Sequence, residues 1–196
     1  MFDVRIFKNA QHFAGVARDV TAERMHASHL EIQATIDPLA GAYNRGQLEV
    51  LLTQSIRSAR RRKTTGCFIF LDIDDFKSIN DSFGHDVGDR VLKEIVSVLE
   101  TNLRDSDVIG RLGGDEFAAI LTDATSVSGP IKAEQLAVAL GNIVIKGHDS
   151  GVNVSIGLAV FPEKGERALD VIKRADAAMY QAKRVPGQNV QVWESE

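Results

Sequence analysis

Residues 108–121 read Val-Ile-Gly-Arg-Leu-Gly-Gly-Asp-Glu-Phe-Ala-Ala-Ile-Leu, two apolar runs joined at a glycine pair that is followed at once by two carboxylates. A two-residue hairpin turn needs positive φ angles, which Gly113 and Gly114 supply. The same glycines remove the Cβ atoms that would keep a bulky ligand from the backbone. Asp115 and Glu116 then stand at the mouth of the hairpin, beside cleared space. A phosphate-bearing ligand needs such room and a bridging cation, and carboxylates hold Mg²⁺ well.

The rest of the chain decides what this hairpin joins. At 196 residues it fits one domain with a short appendage, and 44% hydrophobic with 26% charged residues is a globular composition. A net charge of −4 gives no electrostatic footprint for nucleic acid, so a nucleotide must bind through a metal and a few local donors. The single cysteine, Cys67, lies in the apolar run Cys67-Phe68-Ile69-Phe70-Leu71 and reads as packing. No stretch reaches the ~20 apolar residues of a membrane span, and residues 1–20 lack a signal-peptide core, so the expected location is the cytoplasm, away from membranes.

Periodicity places the elements. Ala10 to Ile36 reads as a helix, with Phe13, Val16, Val20, Ala27, Leu30 and Ala34 near heptad spacing; it either pairs two copies or lies on the domain. Residues 1–36 are thus expected to be a helical linker or dimerisation segment, too short for a sensor domain, and 37–196 the main domain. Asp37-Pro38 breaks the chain. A helix over Arg45 to Lys63 buries Leu48, Leu51, Leu52 and Ile56, and ends in a solvated basic run, Arg57 and Arg60 to Lys63. Gly66 to Ile73 reads as a buried central strand, and Val87 to Leu103 as a helix. After the hairpin come a helix from about Pro130 to Val144 and a half-buried strand over Val152 to Val160. A helix over Ala168 to Arg184, burying Leu169, Ile172, Ala175 and Met179, leads to a closing strand at Asn189 to Trp193.

A helical crossover between the strand ending at Asp72 and the one beginning at Val108 makes those strands parallel. The glycine turn then falls at the sheet edge where Asp72 ends its strand, and Asp72 and Asp115 meet there as a divalent-cation site. The run Asp72 to Asp81 leaves the strand and enters a short helix, whose first amides, at Asp75 and Phe76, are open to phosphate oxygens, with Lys77 as a point charge. Asn80 and Asp89 carry the mixed donors and acceptors that read a purine edge, since a carboxylate accepts from both N–H groups of guanine.

Gly113-Gly114-Asp115-Glu116-Phe117 is the signature of the GGDEF domains, the diguanylate cyclases, and the resemblance covers roughly residues 36 to 193. It includes Asp37-Pro38-Leu39-Ala40-Gly41-Ala42-Tyr43-Asn44-Arg45, Asp72-Ile73-Asp74 with Phe76-Lys77 and Asn80-Asp81, Gly84-His85 with Gly88-Asp89, Val154-Ser155-Ile156-Gly157, and Ala175-Asp176 with Met179-Tyr180-Gln181-Ala182-Lys183. The chain departs from the family at Ala40, Ala42 and Gly46, and at Gln188, where an Arg more often precedes Asn189.

The resemblance implies an α/β (α+β) palm-like nucleotidyl-cyclase fold, a mixed sheet of about five strands flanked by helices, with the helix ahead of it. It implies condensation of two GTP into cyclic di-GMP and pyrophosphate across a homodimer. Mg²⁺ or Mn²⁺ would be held by Asp72, the Ile73 carbonyl, Asp115 and Glu116, with Asp115, Glu116 and Asp72 carrying catalysis. Asn80 and Asp89 would read guanine; Lys77 and Lys183 would hold the triphosphate. Arg104 and Asp107 match the family's product-inhibition motif. The other reading is a non-catalytic module binding GTP or cyclic di-GMP. The intact signature and Asp72 speak against it, because a pure receptor has no chemical need for both. A polymerase-like enzyme for another nucleotide is disfavoured by the Asn80–Asp89 pair.

Overall fold

The computed structural model describes residues 2–9, 12–19, 34–145, 151–185, 187 and 189–194. The chain divides into two compact units, Met1–Thr35 and Ile36–Glu196. In the first, β1 (Phe2–Asn9) and β2 (His12–Asp19) form an antiparallel two-stranded sheet, in register from Phe2↔Asp19 to Asn9↔His12. This corrects the expected helix over residues 12–19. Phe13 and Val16 fit a helical spacing, but Phe2, Val4 and Ile6 alternate with Asp3 and Arg5 at period two, and that pattern finds a partner strand in 12–19. Ala34 and Thr35 are helical; residues 20–33 lie outside the described residues.

The second unit is a six-stranded mixed sheet in the order β3-β5-β6-β4-β7-β8, with helices on both faces. Its elements are β3 (Tyr43–Asn44), α1 (Arg45–Arg62), β4 (Gly66–Ile73), α2 (Phe76–Phe83), α3 (His85–Asn102), β5 (Val108–Gly113), β6 (Glu116–Leu121), α4 (Ser128–Gly141), β7 (Val154–Phe161), α5 (Ala168–Arg184) and β8 (Val190–Val192). The strand beyond the expected five is β3, two residues of the opening turn that run parallel to β5. Asn44 caps α1 by accepting from the Gln47 amide at 3.0 Å.

The alternation of β4 separates two cores. Cys67, Ile69, Leu71 and Ile73 face α3 and α4 through Leu92, Ile95, Leu136 and Leu140, whereas Phe68 and Phe70 face α1 and α5 through Leu48, Leu52, Val171 and Ala175. The β7 strand is buried on both faces rather than half-buried. Its alternate residues, Ser155, Gly157 and Ala159, are small enough for α5 to lie directly on them. Leu169, expected in the core, is 49% exposed, while Ala168 and Val171 of the same turn are buried. Arg60 is not simply solvated; it donates to the carbonyls of Glu163 and Glu166 at 3.0 and 2.7 Å. Among the described residues no helix is long and apolar enough to cross a membrane.

Candidate active site

A helical crossover joins β4 to β5, with one strand interposed between them in the sheet. β4 and β5 point the same way, and β6 runs antiparallel between them, so the 113–116 turn and the end of β4 share one sheet edge. Asp72 stands opposite Glu116 in register, and the Ile73 amide donates to the Asp115 carbonyl at 3.3 Å. The two turn residues are Gly114 and Asp115 rather than the glycine pair: Gly113 ends β5 at φ 146°, paired with Glu116 after a register shift, and Gly114 turns the chain at φ 54°.

Strand parity decides which face each acid serves. Asp72 follows Phe68 and Phe70 on the α1/α5 face, and Glu116 precedes Ala118 and Ile120 on that same face. Lys183, in the last turn of α5, donates to Asp72 Oδ1 at 2.6 Å. α5 lies this close because β7 has Gly157: a Cβ there would sit 2.0 Å from the Ala175 carbonyl oxygen and 2.2 Å from the Met179 amide nitrogen. Met179 is one helical turn before Lys183.

Burial pushes the Asp72 carboxyl up; Lys183 pulls it down, and Asp115 and Asp74 push it up again, leaving it above the usual range. Glu116 is likewise raised, first by burial, with Arg45 opposing and Asp72, Asp176 and Asp115 adding repulsion. Against the cost of its own burial, Lys183 is held protonated by Asp72, Asp74 and Asp115.

The loop after β4 is set by Asp75, whose φ of 53° turns the chain into α2. The Asp74 amide donates to the Asn153 carbonyl at 3.0 Å, and Ser155 Oγ donates to Asp74 Oδ1 at 2.8 Å, which turns that acid toward β7. No side chain caps α2, so its first amides, at Phe76 and Lys77, have no side-chain acceptor. Lys77 is exposed beside them. Asn80 of α2 packs on Gly88 of α3, where a Cβ would lie 2.0 Å from Asn80 Oδ1; Asp89 follows, exposed. Three groups thus follow from the end of β4: Asp72 with Lys183, the α2 amides with Lys77, and Asn80 against Gly88 with Asp89 next to it in α3.

Arg104 and Asp107 lie apart, at the far end of β5. Asp107 accepts from the Arg104 amide at 3.1 Å and from the Thr122 amide at 3.0 Å, so its carboxylate shapes the turn. Arg104 is exposed on the wall of a cleft of about 490 Å³ that Tyr43, Glu100 and Ile109 also line. Gln188 lies outside the described residues.

Sequence reasoning missed Arg111. Its guanidinium donates to Asp37 and to the Gly114 carbonyl, bracing the glycine turn against the opening turn of the domain. The available signal was a lone arginine inside an apolar strand. Arg45 and Asp176, which the motifs contain but to which the sequence assigns no role, are the charges beside Glu116.

The donor set suits Mg²⁺ rather than a fully coordinated structural ion. Among the described residues no three His, Cys, Asp or Glu side chains converge as a ready cage. Two repelling carboxylates, Asp72 and Asp115, with the Ile73 carbonyl, leave coordination places for water and phosphate, which is how Mg²⁺ is bound at nucleotide sites.

The structure is thus an α/β domain whose mixed sheet, between two helical layers, carries acids and a glycine turn at one edge. The family profile described as diguanylate cyclase, GGDEF domain, matches residues 34–189. The chain belongs to that family. It is 34% identical over 160 residues to the probable diguanylate cyclase DgcC of Escherichia coli K12, covering 81% of this chain and 43% of that protein. With the diguanylate cyclase DgcP of Pseudomonas aeruginosa it shares 41% identity over 172 residues, 84% of this chain and 25% of DgcP. The chain thus spans less than half the length of these relatives. Its fold matches the coiled coil and GGDEF domain of DgcB from Caulobacter crescentus, solved in complex with c-di-GMP, with a TM-score of 0.80 at 30% identity, covering 88% of this chain and 93% of that one.

Proposed function

We propose that this domain is a diguanylate cyclase that condenses two GTP into cyclic di-GMP with release of two pyrophosphates. The observation that carries the reading is the convergence of Asp72, Glu116 and Asp115 at the glycine turn, in a chain of this family. Asn80 and Asp89 receive the guanine edge. The α2 amides at Phe76, Lys77 and the Asp75 turn, with the Lys77 and Lys183 ammonium groups, receive the triphosphate.

Asp72, Asp115 and the Ile73 carbonyl would hold Mg²⁺ or Mn²⁺, which when bound neutralises charge on the phosphates. Glu116, opposite Asp72, would either complete that site or take the proton of the ribose 3′-hydroxyl. The 3′-oxygen bonds to the α-phosphorus of the facing GTP, and the bond from that phosphorus to the β-phosphate oxygen breaks. The fixed rim supplies positioning and charge, which is most of what phosphoryl chemistry needs. One chain carries one such half-site, so two copies must face each other. The segment before Ile36 is the candidate for bringing them together, in the cytoplasm where GTP is available.

The exposed Arg104, backed by an Asp107 that fixes its turn, is read as the site where cyclic di-GMP inhibits its own synthesis. Its place across β5 from the acids makes it separate from the reacting centre.

The test is incubation of purified protein with GTP and Mg²⁺ or Mn²⁺, following product by chromatography and mass, with Asp115→Ala beside it. Product from the parent alone supports the reading. No product from concentrated or artificially dimerised protein, with GTP or cyclic di-GMP still bound, establishes a receptor instead.

A further inference from the structure

The Lys183–Asp72 pair joins a fixed acid to a movable cation. The Asp72 side chain is 12% exposed, held at the end of a fully buried strand, whereas that of Lys183 is 43% exposed on the last turn of α5. At 2.6 Å from Oδ1, the ammonium takes the oxygen that a cation would need. It is also a cation beside the loop after β4, with Asp74 and Asp115 close enough to add to its charge environment. A lysine on a flexible four-carbon stem can exchange one anion for another without moving the helix that carries it.

We propose that Lys183 is the site's internal counter-ion: it neutralises Asp72 until a nucleoside triphosphate draws it away, so that divalent cation and nucleotide bind as a coupled pair and the cation alone binds weakly. The inference rests on the reading of Asp72 as a cation ligand given above. Three features of the fold support it. Strand parity turns Asp72 toward α5; Gly157 brings α5 onto the sheet at backbone contact; and Lys183 lies one turn beyond Met179, at the level of the β4 end. A buried acid that lost Lys183 with nothing in exchange would stand uncompensated against Asp115 and Asp74, so departure of the lysine and arrival of a divalent cation favour each other. The coupling is reciprocal by thermodynamic necessity: whatever factor the triphosphate adds to cation affinity, the cation adds to triphosphate affinity.

The experiment measures Mn²⁺ binding to the full chain by electron paramagnetic resonance of the free ion, first without nucleotide. Lys183→Met, neutral and of similar length, is expected to bind Mn²⁺ roughly tenfold more tightly than the parent, a coupling of ordinary size. Lys183→Arg, which keeps the charge, should bind as weakly as the parent. Adding Asp115→Ala should abolish the gained affinity, placing the ion at this site. In a second arm, GTP with a methylene bridge between the α- and β-phosphates should tighten Mn²⁺ binding to the parent, after correction for ion held by free nucleotide. It should tighten it far less in Lys183→Met. A Lys183→Met variant that binds Mn²⁺ no better than the parent overturns the proposal, as does a gain that survives Asp115→Ala. A purely structural Lys183 would lower the melting temperature and leave the Mn²⁺ curve where it was. Failure of the cyclase reading looks different: no cyclic di-GMP forms and the analogue does not bind, while the nucleotide-free Mn²⁺ comparison still gives its own answer.

Discussion

Arg111 donates through Nη1 to Asp37 Oδ1 at 3.0 Å and through Nε and Nη2 to the Gly114 carbonyl at 3.0 and 2.6 Å, so a single guanidinium ties the first turn of the domain to the turn that presents Asp115. Both side chains of the pair are largely shielded from water, 11% and 22% exposed. Asp37 also accepts from the amides of Leu39 and Ala40.

Arg111→Ala should therefore destabilise the domain by about 1.5–3 kcal/mol, the range for hydrogen bonds to a charged group, and lower its melting temperature by several degrees. Lysine cannot reach both acceptors, so Arg111→Lys should restore little. The difference should depend on pH. Burial pushes the Asp37 carboxyl up, but the Ala40 amide, Arg111 and the Leu39 amide outweigh it and hold it below 3.8. A carboxyl depressed in the folded state stabilises fully above its unfolded value and loses that contribution as pH falls through the folded one. Thermal unfolding at pH 7 and at about pH 3 should show the gap between parent and Arg111→Ala closing in acid. An equal gap at both would show that Asp37 is not the relevant partner.

Gly88→Ala should act on Asn80. The added Cβ would fall 2.0 Å from Asn80 Oδ1, the end of a polar side chain that can swing away. Alanine is otherwise the better helix former by about 1 kcal/mol, so the fold should survive. Titration with a non-hydrolysable GTP analogue should show at least a tenfold loss of affinity, the scale of about 1.4 kcal/mol, with circular dichroism unchanged.

Gly157→Ala should do what Gly88→Ala does not, because its Cβ meets main chain rather than a side chain, at the Ala175 oxygen and the Met179 nitrogen. α5 must lift from β7, which opens the core around Val171, Ala175 and Met179. We expect a loss of about 3 kcal/mol or more, read as a shifted urea midpoint.

Arg104→Ala should leave basal turnover unchanged and relieve product inhibition, because Arg104 is exposed and contributes its backbone rather than its guanidinium to the turn that Asp107 holds. Initial rates across a series of cyclic di-GMP concentrations would decide it, and an unmoved inhibition curve would refute it.

The acid edge was legible because it follows from chain direction alone: a helical crossover fixes the sense of β5 relative to β4, and the hairpin must then turn where β4 ends. The central strand declared itself as an unbroken apolar run, and most helices by period, each helix with a clear apolar face. The N-terminal strands did not. Phe13 and Val16 satisfy a helix as well as a strand, and only pairing with residues 2–9 separates the two. β7 misled in another way, since Ser155, Gly157 and Ala159 look like a solvent face in sequence but form a shallow bed for a helix. The Lys183–Asp72 pair spans 111 residues, and no local pattern announces it. Arg111 was hidden by its surroundings, a charge in a strand read for its apolar neighbours.

The two cores flank the sheet and reach its rim only through Ile73, Ile79 and Leu112, while the acids, the glycine turn and the α2 amides stand at their edge. Substitutions at that rim therefore cost the architecture little, whereas substitutions beneath it are punished at once. Were the proposed reaction lost by a change at the rim, the sheet and the two cores beneath it would still hold the same scaffold together.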